Sequence, residues 1–238
     1  MGRCSIDLYG QQIGSRLEDM ASFAKSVGGS PSNIAIGTAR LGLRSGLITR
    51  VGDEQMGRFV LEQMAREGVS TKGIATDPAR LTSLVLLAVE SDKSFPLIFY
   101  RDNCADSALS EADVSEDFIR SAAALLVTGT HFAREVNDKA QRKAMALAKK
   151  HGRRIVIDID YRPNLWGLAG HGAGEERYIK SDMVTSHLQS ILADCDLIVG
   201  TEEEVHIAGG SEDTLTALRT IRGLSKGVIV LKRGPMGC

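Results

Sequence analysis

The run Gly28-Gly29-Ser30-Pro31-Ser32-Asn33-Ile34-Ala35 holds the clearest chemical signal in the chain. Paired glycines carry no Cβ, so the backbone there can come up against a ligand. Ser30 is placed to cap a following helix, and Pro31 suits its first turn, where no amide donor is needed. Asn33 then projects from that turn beside free N–H groups that favour an oxygen-rich ligand. The same residues also describe a plain capped helix after a glycine turn, and locally both readings stay open.

Such residues need elements to hold them, and the chain supplies alternating strand-like and helix-like segments. Gly46 to Val51 is β-prone; Met56, Val60 and Met64 follow at helical spacing, and Gly68 closes that helix. Leu125 to Thr128, Arg154 to Asp158, Leu197 to Val199 and Val228 to Leu231 read as short apolar strands. Between the first two, Val136, Ala140, Ala144, Leu147 and Ala148 form an apolar stripe opposite Lys139, Arg142, Lys143 and Lys149. Continuous apolar strands separated by amphipathic helices predict an α/β fold with a parallel sheet covered on both faces. One region breaks the pattern: Thr82 to Val89 and Phe95 to Tyr100 flank Glu90-Ser91-Asp92-Lys93-Ser94, which reads as a β-hairpin suited to a flap or lid. Gly167 to Gly174 reads as a flexible loop.

Composition narrows the function classes. The 238 residues are 43% hydrophobic and 25% charged with a net charge of −1, which gives no electrostatic case for nucleic acid or a membrane surface. Cys4, Cys104, Cys195 and Cys238 lie far apart and read as reduced thiols of a cytoplasmic protein rather than a disulfide or zinc framework. There is no GxGxxG after a first strand, no Walker A motif and no GxSxG elbow, which disfavours a nicotinamide oxidoreductase, a P-loop NTPase and a hydrolase.

Gly28, Gly29, Asn33, Ala35, Gly42 and Gly52, continued by Val51-Gly52-Asp53-Glu54-Gln55-Met56-Gly57, resemble the first signature of the PfkB (ribokinase-like) carbohydrate kinases. The resemblance runs over nearly the whole chain and implies a three-layer α/β/α sandwich with a small β-lid at about 82–101, incomplete at the C-terminal end. It implies substrate-binding roles for Gly28, Gly29, Asn33 and Asp7, the last because a carboxylate accepts two hydroxyl donors at once. Tyr100-Arg101-x-Asn103-Cys104-Ala105-Asp106 and Asp158-x-Asp160-x-Arg162-Pro163-x-Leu165-Trp166 are similar to the branch acting on keto sugar acids, where DxNxRxxLW is usual and Asp160 here replaces the Asn. That implies Arg101 and Arg162 as partners of a substrate carboxylate or of the transferring phosphate, with a surface ion pair as the competing explanation for each. A metal-binding reading of Asp158 and Asp160 is the less attractive alternative.

Thr201-Glu202-Glu203-Glu204 stands where the family has NxxE, and the resemblance implies that Glu204 orders Mg2+ around ATP phosphates; Thr201 replaces the usual Asn. An acidic first helical turn is the competing explanation. Lys232-Arg233-Gly234-Pro235-Met236-Gly237 resembles the family's turn at the ATP site, implying nucleotide contacts from Lys232, Gly234 and Gly237. The expected activity is ATP-dependent phosphorylation of a terminal hydroxyl, with 5-dehydro-2-deoxygluconate as substrate. The alternatives are 2-keto-3-deoxygluconate, fructose, or a sugar-acid sensor without turnover. The resemblance leaves a homodimer through the lid open. No Gly-Ala-Gly-Asp segment, the family's source of a base and an anion hole, occurs in the 238 residues. Met1-Gly2-Arg3 and Cys238 read as cut ends, so the polypeptide is expected to be inactive by itself.

Overall fold

The computed structural model describes residues 1–238. In the first half, β1 (Ser5–Gly10), β2 (Phe23–Gly28), α1 (Ser30–Arg40), β3 (Thr49–Gly52), α2 (Gln55–Arg66), β4 (Ile74–Asp77), β5 (Ser83–Leu87) and β6 (Leu97–Tyr100) follow one another. The second half runs α3 (Glu116–Ser121), β7 (Ala124–Thr128), α4 (Glu135–Lys150), β8 (Arg154–Asp158) and α5 (Asp182–Leu192). It continues with β9 (Leu197–Thr201), α6 (Glu202–Gly209), α7 (Thr214–Leu224) and β10 (Val228–Lys232).

The second half is the parallel α/β unit that its apolar runs predict. Its strands lie in the order β10-β9-β8-β7, all parallel. α4 buries Ala140, Ala144, Met145 and Ala148 and leaves Val136 exposed, so the stripe is turned slightly from the one the spacing suggests. Ile157, Ile198 and Leu188 sit in the large core this sheet shares with its helices. Parallel strands share their direction, so Thr128, Asp158, Thr201 and Lys232 all arrive at one edge, the carboxyl ends of the strands. Ligands of open α/β sheets bind outside that edge.

The first half departs from a single parallel sheet. β2-β1-β5-β6 form a mixed sheet, with β1 antiparallel to β2 and parallel to β5. β3 and β4 make a separate parallel pair. The expected hairpin is present: β5 and β6 pair antiparallel from Leu84↔Tyr100 to Leu87↔Leu97. A smaller core lies beneath, where Ile6, Val51, Val60 and Met64 meet. Fully burying a side chain such as Val60 or Met64 contributes about 1.5–3 kcal/mol. Cys4, Cys104 and Cys195 are buried free thiols and Cys238 is an exposed one, as their scatter suggests. No helix is long and apolar enough to cross a membrane.

Candidate active site

The mixed sheet faces the carboxyl edge of the parallel sheet across a cleft of about 800 Å3. Alternation along β1 and β5 sends Asp7, Tyr9, Val85 and Leu87 into it, with Leu97 and Phe99 from β6. Gly29, Ser30 and Asn33 form one end of its wall, and Asp158, Arg162 and Lys232 come from the parallel-sheet side.

Asp7 and Asn33 therefore share one cavity. The reason is steric as well as topological. A Cβ on Gly28 would fall 1.9 Å from Asp7 Oδ1, so only glycine leaves room for that carboxylate. Gly29 has φ +97°, and a Cβ there would press on the Arg3 carbonyl oxygen at 2.6 Å. Both glycines are needed by the backbone beside the ligand space, not for flexibility. Burial pushes the Asp7 carboxyl above its usual range, although the Ser5 hydroxyl donates to it at 2.9 Å and Arg3 lies near.

Ser30 differs from expectation. It begins α1 but does not cap it; Gly29 holds the cap position, and the Ser30 hydroxyl donates instead to Asp158 Oδ2. Asp158 also lies 3.4 Å from Lys232 Nζ, which is 3.7 Å from Glu204 as well. A carboxylate bound on two sides by the ends of α1 and β10 is a site residue that the sequence offered only as part of a DxD.

Asp160 is not a metal ligand in this arrangement. It takes a left-handed backbone at φ +38° and receives two hydrogen bonds from Arg3, at 3.0 and 2.9 Å. Burial works against its charge, but the Arg3 guanidinium, helped by Arg162, holds the carboxyl below the usual carboxylate range. Both side chains of this pair are less than a tenth exposed. Arg162 lines the cleft 3.9 Å from Asp160 and 3.7 Å from Glu204, and donates to the Tyr161 carbonyl at 2.8 Å. Burial lowers its pKa, and Arg3 and Arg177 oppose the attraction of Asp160.

Arg101 departs from its expected place. Its guanidinium is engaged by the fully buried Asp106, which also accepts from the Cys4 amide and the Ser83 hydroxyl at 3.2 Å each. It anchors the end of β6 to the body and does not line the cleft. Thr201 and Glu204 form a capping box at the start of α6, with Thr201 N–H donating to Glu204 at 2.7 Å. The Tyr161 amide donates to the other Glu204 oxygen at 3.3 Å. Burial and nearby Asp158 raise the Glu204 carboxyl, the Thr201 amide opposing them. Thr201, Gly234 and Gly237 flank the cleft at the ends of β9 and β10 without lining it.

Mg2+ keeps several waters and takes few protein carboxylates when phosphates share it. Asp158 and Glu204, near enough that Asp158 works against the charge on Glu204, fit that modest role. No group of three or more His, Cys, Asp or Glu forms a complete protein cage. Sequence reading gave no site role to Arg3 or Arg177 and offered Asp158 only as half of a DxD; Arg177 lies after a glycine-rich loop.

Residues 1–238 match the model for pfkB family carbohydrate kinases. The chain belongs to this family. A 5-dehydro-2-deoxygluconokinase from Geobacillus kaustophilus is 36% identical over all of the chain and 69% of that protein. One from Bacillus subtilis is 34% identical over all of the chain and 70% of its own length. The crystal structure of a PfkB protein from Polaromonas sp. superposes with a TM-score of 0.83 at 28% identity, covering 98% of this chain and 75% of that one. The fold is thus ribokinase-like α/β.

Proposed function

We propose that the cleft of this carbohydrate kinase takes a keto sugar acid, 5-dehydro-2-deoxygluconate, beside ATP and Mg2+. The observation that carries the reading is the convergence of Asp7, Asn33, Arg162 and Lys232 on one cavity from four separate elements. Asp7 accepts sugar hydroxyls and Asn33 both donates and accepts. Arg162 offers a planar fork to carboxylate or phosphate oxygens. Lys232, at the carboxyl end of β10, faces the nucleotide phosphates with the turn at Gly234 and Gly237, and Mg2+ supplies charge neutralisation near Asp158 and Glu204. The hairpin β5–β6 acts as a lid, its apolar face excluding water. The preference for this acid is supported by the names of the relatives and by the cationic wall.

Phosphoryl transfer depends on positioning and charge stabilisation, with a base to take the hydroxyl proton. The 238 residues contain no Gly-Ala-Gly-Asp segment, so the polypeptide is expected to bind without turning over. Calorimetry with 5-dehydro-2-deoxygluconate, 2-keto-3-deoxygluconate and fructose tests the substrate, and incubation with ATP and the first acid tests turnover. Preferential binding of fructose would refute the acid reading. Phosphorylated product well above background would refute the inactivity.

A further inference from the structure

The glycine-rich segment 167–180 is tied down on both sides of the cleft. Upstream, a Cβ on Gly174 would lie 2.0 Å from the Leu97 carbonyl oxygen of β6, so this glycine lets the loop dock flat against the hairpin. The Phe95 amide donates to the Glu175 carboxylate at 2.9 Å, and His171 stands 3.8 Å from Asp102 just beyond β6. Downstream, the Tyr161 hydroxyl donates to the Ile179 carbonyl at 2.5 Å, and Tyr178 stacks edge-on against His206 of α6 at 6.2 Å. Arg177 lies between these two sets of anchors and lines the cleft.

Its charge is the unspent one. Four cations line the cleft: Arg3, Arg162, Arg177 and Lys232. Arg3 is held by Asp160, Arg162 lies within 4 Å of Asp160 and Glu204, and Lys232 is shared by Asp158 and Glu204. Arg177 forms no ion pair within 4 Å and no side-chain hydrogen bond, although Arg162 is close enough to feel its repulsion and Glu203 its attraction. A solvated guanidinium, placed over a cavity and beside other cations, is an anion receptor without its anion.

We propose that Arg177 is a specificity-determining residue that grips the carboxylate of a sugar acid, and that the Gly174 dock makes loop and hairpin close on it together. The inference rests on the sugar-acid reading above. Arg177 supplies the second guanidinium that Arg101, engaged by Asp106, does not bring to the cleft. Its planar fork matches a carboxylate with two parallel hydrogen bonds. With a neutral sugar bound, Arg177 stays in water and loses nothing, so it discriminates by charge alone.

Calorimetry on the 238-residue chain, its Arg177→Gln and Gly174→Val variants, with 5-dehydro-2-deoxygluconate, fructose and ATP as probes, tests this. Arg177→Gln should weaken the acid about tenfold to a hundredfold, the span of a charge-assisted hydrogen bond. Fructose and ATP should stay within about twofold, well inside the change expected when no charged contact is lost. Arg177→Lys should recover part of the loss, and Gly174→Val should lose acid affinity with Arg177 intact. Equal weakening of acid and fructose, weakening of ATP instead, or an unchanged acid affinity in Arg177→Gln overturns the role of Arg177. Unchanged acid affinity in Gly174→Val overturns the joint closure. If the unaltered chain binds fructose but not the acid, the sugar-acid reading itself fails and this inference with it.

Discussion

On the parallel-sheet side of the cleft, Asp158, Asp160 and Glu204 are buried carboxylates whose oxygens are nearly all taken by Ser30, Arg3, Lys232, Thr201 and Tyr161. On the hairpin side, Val85, Leu87, Leu97 and Phe99 present apolar surface, and Phe95 stays substantially exposed. One wall is a polar lattice closed on itself; the other is a greasy sheet with few fixed partners. Polar groups in low dielectric stay put only when satisfied, so the first wall is preorganised. Apolar contacts are non-directional and tolerate sliding, so the second is suited to open and close.

The sharpest way to break that contrast is Asp160→Ala. It strands Arg3, and leaving a buried charge unpaired costs about 3–5 kcal/mol; denaturant unfolding should show the loss. Asp160→Asn, which tolerates the left-handed backbone, should lose less. Next comes Asp7→Asn, which leaves one acceptor and adds a donor toward the sugar. It should weaken sugar binding about thirtyfold, roughly 2 kcal/mol, by calorimetry. Because burial raises the folded pKa of Asp7, its ionisation penalises the fold as pH rises above the unfolded value. The same variant should therefore be slightly more stable at neutral pH, and a clear drop in Tm would contradict this.

The polar wall also carries a pH limit. His131 lies buried near Asp106 and Arg101, and burial drives its pKa down to about 3. It is held neutral in the fold but charges at about 6.5 when unfolded. Stability should fall as pH drops from about 6.5 toward 3, by on the order of 1 kcal/mol per pH unit. His131→Gln should flatten that acid limb in thermal melts; an unchanged limb would assign it to carboxylates instead. The smallest effect belongs to Thr201→Ala, which removes one half of the α6 capping box at about 1 kcal/mol and should leave sugar binding intact.

The contrast also explains what was legible in the sequence. Strands, helices and the β5–β6 hairpin follow from periodicity, and Asp7, Gly28, Gly29 and Asn33 meet because adjoining elements deliver them. Arg3 and Asp160 pair across most of the chain, which no local pattern encodes, and the left-handed backbone at Asp160 leaves no signal in an Asp. Ser30 looked like a cap because its neighbours match that motif; a distant carboxylate outcompetes the helix for its hydroxyl. Arg101 was assigned a substrate contact from the resemblance of its segment to the sugar-acid branch, whereas Asp106, five positions on, engages it. Arg177 was invisible among glycines because its value comes from where the loop is docked.

The gap left by Gly28 has a consequence for how the molecule assembles. β1 and β2 pair with Ser5 opposite Gly28 and Asp7 opposite Ser26. A slip by one residue would turn every side chain to the wrong face, and a slip by two would bring a serine where the carboxylate needs space. Misaligned chains cannot present Asp7 to the cavity. If Asp7 holds the sugar as proposed, sugar binding during refolding reports correct strand alignment, because the alignment and the receptor are the same piece of geometry.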